Sequence, residues 1–362
     1  MIGTYKVDST KIRIPFDDCE ILNDGILSHY VLVNELTGEV SNTDFKKNCW
    51  IGETNGVKCR IAIESVNSAL SAKGEPPKIG RYITLVITSK MLGTDYFKGI
   101  TKETLPMLYD YVMGLEVFKC SYDVWQNSMV TDTDICKDFK ASFDEMRQLF
   151  QVMERSSVPY SQRGVGVKTF IKGDNQNGIE WNDRNTTSLK HPFVKVYSKE
   201  LDFYGQGIRQ DRKDFASAYI NEADCKNTYR TEATVKNRKA FKAYEVTDTR
   251  LCSIVDLSQE KMSEIVSKSL KKNTVRPTRT KTKTNKSEMT PQERTIYNTL
   301  SIILYSTPYS IAVQMITEDL PPSSRVQYTK KYDAVYNKWI KGRESYKAEE
   351  MEQLMETVGW VI

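Results

Sequence analysis

A tyrosine with a lysine two residues to either side stands at Lys195, Tyr197 and Lys199, within His191-Pro192-Phe193-Val194-Lys195-Val196-Tyr197-Ser198-Lys199. With a period of two, His191–Lys199 is a strand with two unlike faces. Val194 and Val196 point into a core, and His191, Phe193, Lys195, Tyr197 and Lys199 point the other way. Two ammonium groups beside a phenol would hold a phosphate and make the phenol more acidic. That suits a tyrosine that attacks a phosphodiester and keeps the phosphate as a covalent adduct. The chain has 20 Tyr, so the flanking lysines, not the residue type, single out Tyr197. An amphipathic tyrosine on a surface strand is the plainer reading of the same residues.

The bulk composition narrows the chemistry. At 362 residues, 39% hydrophobic and 27% charged, the chain is expected to fold as two or three globular domains with a real core. It has no apolar run of about 18 residues, so no transmembrane helix and no membrane partner are expected. The start, Met1-Ile2-Gly3-Thr4-Tyr5-Lys6, lacks a signal peptide's apolar centre. Seven scattered Cys with no Cys-x-x-Cys pair argue against a zinc ribbon, and free thiols fit a cytoplasmic location. His29 and His191 are the two histidines, which excludes a three-His metal site within one chain. A metal here would lean on carboxylates, favouring Mg²⁺ or Mn²⁺.

The charge is uneven. Between Lys268 and Lys286 stand eight basic residues and no acid: Lys268, Lys271, Lys272, Arg276, Arg279, Lys281, Lys283 and Lys286. They outweigh the chain's total of +5, so the remainder is slightly negative. A basic stretch focused on such a body points to a polyanion partner, where a merely solvated linker would not explain the missing acids.

The elements that must position these groups follow in chain order. Residues 6–16 predict a strand ending at Pro15. Residues 28–40 and 57–66 alternate in the β manner, and Gly74–Pro77 is a loop. Arg81–Lys90 is a β-branched strand ending at Gly93. A helix from about Thr101, which caps it, runs to Gly114. Glu116–Gln126 predicts a strand with Lys119, Ser121, Asp123 and Trp125 on one face. The stripe Ile135, Phe139, Phe143, Met146, Leu149, Phe150 and Met153 predicts a helix from Asp134 to Arg155. Strands with turns at 172–175 and at Asn177-Gly178 follow. Residues 227–236 predict a strand with Arg230, Glu232 and Thr234 on one face. Three polar strand faces would then bring Asp123, Tyr197 with His191, and Glu232 onto one sheet surface.

Residues 257–272 and everything from Pro291 to Ile362 read as helix. Leu320-Pro321-Pro322-Ser323-Ser324-Arg325 joins two helices, with Ser323 or Ser324 placed to cap the second. That second helix carries Arg325, Lys330 and Lys331, with Val326, Tyr332, Val335 and Trp339 as its buried side. A short helix, a tight turn and a cation-rich helix form the pattern of a helix-turn-helix with its recognition helix second.

The order of these motifs resembles the replication initiators of single-stranded DNA phages, in particular the gene II protein of filamentous phages and related phage and plasmid rolling-circle initiators. Val7–Phe16 is similar to that family's opening strand, and Ile83–Lys90 with Met91-Leu92-Gly93 to its strand and turn. Ser121-Tyr122-Asp123 falls where the family has a strand aspartate. His191, Tyr197 and Lys199 match the segment holding its nucleophilic tyrosine, and Arg230-Thr231-Glu232-Ala233-Thr234-Val235 its arginine–x–glutamate strand. Two departures stand out. The wider superfamily's paired histidines, separated by one apolar residue, are absent, and Thr94 and Asp95 stand where the turn would carry a histidine.

The resemblance covers about residues 5–240. It implies an α+β fold: an antiparallel nuclease-type sheet with flanking helices in a catalytic domain over 1–250, a helix and basic linker over 251–290, and an all-α DNA-binding domain over 291–362. It implies a metal-dependent enzyme that nicks and rejoins origin DNA through a 5′-phosphotyrosine. Tyr197, Lys199 and His191 would be catalytic, and Asp123, Glu232 and His191 would hold the metal. Lys195, Arg230, Lys271, Lys272, Arg276, Arg279, Lys281, Lys283, Arg325, Lys330 and Lys331 would touch duplex and single-stranded origin DNA, with a host helicase or polymerase as further partner. The chain has no Gly-x-x-x-x-Gly-Lys-Ser/Thr loop, which agrees with an ATP-free reaction. A non-enzymatic origin-binding protein or transcriptional regulator would use the same basic linker and C-terminal helices but need no strand tyrosine.

Overall fold

Tyr5–Pro15 keeps one side chain after another buried and ends on Pro15, which has no N–H to extend a ladder. It opens a computed structural model that describes residues 3–22, 32–33, 40–41, 49–54, 57–67, 79–157, 167–172, 175–182, 189, 192–205, 207–274, 288–304, 309–340 and 348–360. Strands run over Tyr5–Pro15 (β1), Glu20–Ile21 (β2), Leu32–Val33 (β3), Val40–Ser41 (β4), Cys49–Thr54 (β5), Val57–Asn67 (β6), Ile79–Thr88 (β7), Phe118–Lys119 (β8), Met129–Lys140 (β9), Val167–Lys172 (β10), Asn175–Trp181 (β11), Val194–Ser198 (β12) and Thr228–Lys236 (β13). The α-helices are Leu105–Met113 (α1), Tyr122–Gln126 (α2), Phe143–Arg155 (α3), Lys199–Tyr204 (α4), Gln210–Tyr219 (α5), Glu222–Cys225 (α6), Asn237–Ala243 (α7), Leu251–Val255 (α8), Gln259–Asn273 (α9), Pro291–Ile303 (α10), Tyr309–Thr317 (α11), Pro322–Val335 (α12) and Ala348–Val358 (α13). Long antiparallel strands with flanking helices make this an α+β fold. Among the described residues no helix is long and apolar enough to cross a membrane.

The chain divides into two units that interleave along the sequence. One takes Met1–Cys136, Ile208–Asp224 and Thr234–Met262, and the other Lys137–Gly207, Cys225–Ala233 and Ser263–Ile362. In the first, the strand order is β9-β1-β7-β6-β5. β1 pairs antiparallel with β7 through Ile12↔Leu85 and Ile14↔Ile83, and all four side chains are buried. Lys11 and Arg13 meet Glu64 of β6 at 3.1 and 3.0 Å. The buried Asp134 of β9 accepts from Ser9 at 2.6 Å and from Thr234.

Three sequence expectations in this part are corrected. Glu116–Gln126 is not one strand: β8 is followed by α2, because the Ser121 hydroxyl accepts the Val124 N–H at 3.2 Å and starts a helix. The helix expected from Asp134 begins only at Phe143, and 129–140 is strand. The stripe through Ile135 and Phe139 also fits one face of a strand, and a Ser142–Glu145 capping box marks the true helix start. The helix expected from Thr101 begins at Leu105, since Thr104 turns back to donate to the Gly99 carbonyl at 2.8 Å. Gly74–Pro77, most of 28–40 and Gly173-Asp174 lie outside the described residues.

In the second unit the strand order is β10-β11-β12-β13-β9. β11 pairs antiparallel with β10 and β12, and β12 with β13. The turn expected at Asn177-Gly178 is not formed. Both residues sit within β11, and the register shift between Phe170 and Ile171 of β10 takes up the irregularity. Asn182 and Asn273, at the end of α9, both donate to the Pro192 carbonyl, at 3.0 and 2.7 Å, and so fix the entry to β12.

The helices after residue 288 share a core of Met289, Ile296, Leu300, Leu304, Ala312, Val335, Tyr336, Trp339 and Ile340. Pro321, not Ser323 or Ser324, precedes the first turn of α12. Val326 is 58% exposed instead of buried, whereas Val335 and Trp339 are buried as expected. Starting at Pro322 leaves the first turns of α12 in solvent, and only its last turn reaches the core. Glu293 closes a capping box with Thr290 at the start of α10 and accepts from Lys338 and Trp339 at 3.0 and 3.3 Å.

These donors, the Thr290 backbone N–H first, then Lys338 and Trp339, hold the Glu293 carboxyl at about 2 instead of its ordinary 4.5. A folded value below the unfolded one adds stability that is complete above the unfolded value and is lost as pH falls through the folded value. The melting-temperature gap between wild type and Glu293→Gln should therefore be full above 4.5 and close as pH falls to about 2. A gap that stays constant over that window would contradict the assignment.

Candidate active site

Val194 and Val196 are fully buried, whereas Lys195 and Tyr197 are half-buried on the opposite face. β12 is thus the two-faced strand that the sequence implies. It ends earlier than expected, at Ser198, whose hydroxyl accepts the Leu201 N–H at 3.1 Å and starts α4. Lys199 is the first residue of that helix and is 1% exposed. Its ammonium group pairs with Asp202 at 3.0 Å and lies 4.5 Å from the Phe203 ring centroid.

The Tyr197 ring takes two ammonium groups, Lys195 at 4.6 Å and Lys199 at 5.0 Å from its centroid. Such contacts are attractive, since the π face is the negative part of the ring. The Tyr197 hydroxyl donates to Glu232 Oε2 at 3.2 Å and accepts from Lys199 Nζ at 3.5 Å. Glu232 Oε1 meets Lys195 at 2.9 Å, and the Glu232 side chain is 2% exposed. The register explains this: Lys195 lies directly opposite Glu232, and Tyr197 opposite Arg230, so Tyr197 reaches Glu232 on the diagonal. Gly178 of β11 lies opposite Tyr197. A Cβ there would stand 2.7 Å from the Tyr197 Cβ, so only glycine lets β11 pass so close.

Arg230 shares a face with Glu232 but not its environment. Its guanidinium is fully buried and grips Asp138 of β9 with two bonds, 2.6 and 2.8 Å. It therefore anchors β13 from within, where a surface contact with DNA was expected. The bidentate geometry is the strong form of this pair.

The other expected residues fall in several places. Asp123 lies on α2 in the first unit, and its carboxylate accepts from Gln126 and Asn127, each at 3.1 Å. The single sheet surface expected to carry Asp123, Tyr197 and Glu232 is therefore corrected, because Asp123 stands on a helix. Lys271 and Lys272 close α9. Arg325, Lys330 and Lys331 are exposed on α12, with Arg325 donating to the Leu320 carbonyl at 2.7 Å and Lys331 over the Tyr328 ring at 5.2 Å. His191, Arg276, Arg279, Lys281 and Lys283 lie outside the described residues.

Sequence reasoning missed Asp202, Asp138 and Gly178. Asp202 had a signal: Ser198 is a helix cap, and Asp202 then falls one turn beyond Lys199. Asp138 was hidden by the helix expected over 134–155.

Among the described residues no group of three or more His, Cys, Asp or Glu could hold a metal ion. Glu232 turns one oxygen to Lys195 and the other to Tyr197.

No protein-family model matches the chain, and a comparison with curated proteins found no match. Among solved structures the chain is similar to a rolling circle replication initiator protein from Geobacillus stearothermophilus, at 11% identity and a TM-score of 0.35, covering 79% of this chain and 91% of that one. A likeness of that size carries no argument.

The Arg230–Asp138 pair yields a stability prediction. Asp138→Ala leaves a buried guanidinium unmatched and should cost roughly 3–5 kcal/mol. In denaturant titrations the double variant Asp138→Leu/Arg230→Met should recover most of that loss. A single variant as stable as wild type would show that the pair does not anchor β13.

Proposed function

We propose that the chain is a DNA-nicking and -joining enzyme of rolling-circle replication initiation, with Tyr197 as the nucleophile. The observation that carries this reading is the phenol held between two ammonium groups with its hydroxyl on a buried carboxylate. The order of motifs shared with phage and plasmid initiators supports it. In the proposed reaction Glu232 Oε2 takes the phenol proton as general base. The phenolate attacks a backbone phosphorus in line, the bond from phosphorus to the 3′-oxygen breaks, and that oxygen leaves to become a 3′-hydroxyl with a proton from solvent. The product is a 5′-phosphotyrosine. Lys195 and Lys199 offset the charge that gathers on the phosphoryl oxygens. Attack by a 3′-hydroxyl on the adduct runs the sequence backwards and rejoins DNA. The ester energy is conserved, so ATP has no role.

Mg²⁺ or Mn²⁺ stays in the proposal as a requirement to be measured, and no step above passes through it. Origin DNA is the proposed partner. The exposed Arg325, Lys330 and Lys331 would meet its phosphates, as would Lys271, Lys272, Arg276, Arg279, Lys281 and Lys283. A host helicase or polymerase would act on the nicked product.

Tyr197→Phe should end conversion of supercoiled origin DNA to the nicked, protein-linked circle while leaving binding close to wild type. Glu232→Gln should slow that conversion by about 10²–10⁴-fold, with a thermal melt to confirm folding. Nicking by Tyr197→Phe at the wild-type rate would end the assignment, and Tyr204, at the end of α4, would be tested next. Joint replacement of Arg325, Lys330 and Lys331 by Gln should lower the salt dependence of duplex binding, by about 0.9 in slope for each phosphate no longer neutralised. An unchanged slope would remove α12 from the DNA interface.

A further inference from the structure

β2 and β8 form a short antiparallel ribbon with Glu20 opposite Lys119 and Ile21 opposite Phe118. Continued by one residue, the register sets Cys19 opposite Cys120. The ladder pattern says which kind of pair this is. The Leu22 N–H donates to the Val117 carbonyl at 3.1 Å, so Leu22–Val117 is a hydrogen-bonded position. Such positions alternate with close, non-bonded ones. Counting back, Glu20–Lys119 is bonded and Cys19–Cys120 is non-bonded, with Cα atoms about 4.5 Å apart and side chains on one face. That spacing falls within the Cα span of a disulfide, roughly 4.4–6.8 Å.

The surroundings favour the same pair. Both thiols are partly exposed, whereas Cys59, Cys136 and Cys225 are buried. The Cys120 backbone is fixed by the Tyr109 hydroxyl, which donates to its carbonyl at 2.8 Å. Cys19 lies 3.4 Å from the Pro15 carbonyl. The neighbouring Cys19 thiol lowers the pKa of Cys120, and Cys120 in turn raises that of Cys19. One member is therefore the readier thiolate, as an attacking sulfur needs to be.

We propose that Cys19 and Cys120 are a modification site that closes to an intramolecular disulfide by exchange with a low-molecular-weight disulfide of the glutathione class. The Cys120 thiolate attacks one sulfur of the oxidant, whose S–S bond breaks. One thiol leaves with the proton that Cys120 gave up, and a mixed disulfide remains on Cys120. The Cys19 sulfur, losing its proton to solvent, attacks the Cys120 sulfur and expels the second thiol, which takes up a proton. Two protein thiols are oxidised and one small disulfide is reduced to two thiols. The new bond ties the residue before β2 to the residue after β8.

The test uses the full chain and oxidised glutathione, with alkylation of the remaining thiols and peptide mapping without reductant. The expected product is a cross-linked peptide pair holding Cys19 and Cys120, two hydrogens lighter than its separate parts and split by dithiothreitol. Cys19→Ser should instead accumulate glutathione on Cys120, because the resolving thiol is gone. A melting temperature that rises on oxidation and returns on reduction would support the staple, since a closed loop restricts the unfolded chain. A map with both cysteines alkylated after oxidation, or with either joined to another cysteine, would overturn the proposal.

Discussion

A carboxylate that is 2% exposed must have its charge matched where it sits, and Glu232 constrains the Tyr197 face of β12 through that requirement. Lys195 answers it from directly across the β12–β13 ladder, and the Tyr197 hydroxyl from the diagonal. A slip of one residue would turn every side chain of β12 to the other face and bury Lys195 where Val194 and Val196 now sit. The buried charge therefore supports the register, and the register places the phenol. Gly178 opposite Tyr197, and the two amides on the Pro192 carbonyl, tighten the same arrangement from β11 and from the entry to β12.

β13 carries a second charge with a different task. Arg230 and Glu232 are two residues apart on one face, yet Arg230 is matched inside the protein by Asp138 and Glu232 by the groups around the phenol. One pair holds the strand, and the other meets the phenol. Asp202 extends that division to α4, keeping the Lys199 ammonium beside the tyrosine. Side-chain amides, carboxylates and cations thus settle the geometry at Tyr197.

Much of this was legible in the residues. The two faces of 194–198, the shared face of Arg230 and Glu232 and the helices after Pro291 follow from periodicity alone. Periodicity failed where two periods agreed. Ile135 and Phe139, four apart, satisfy a helical stripe and also share a strand face, and the buried roles of Asp134 and Asp138 decided for strand. It failed again at Ser121 and Ser198, where a hydroxyl accepting a backbone N–H ended an alternating run and began a helix. Partner choice could not be read at all, because Asp138 lies 92 residues from Arg230 in sequence.

The central claim is that Tyr197 carries the DNA. Its most direct test is to incubate the protein with supercoiled circular origin DNA, digest both polymers, and map the adduct by tandem mass spectrometry. The account predicts a nucleotide 5′-phosphate on Tyr197. An adduct on any other residue, or nicked DNA with no covalent protein, would contradict it.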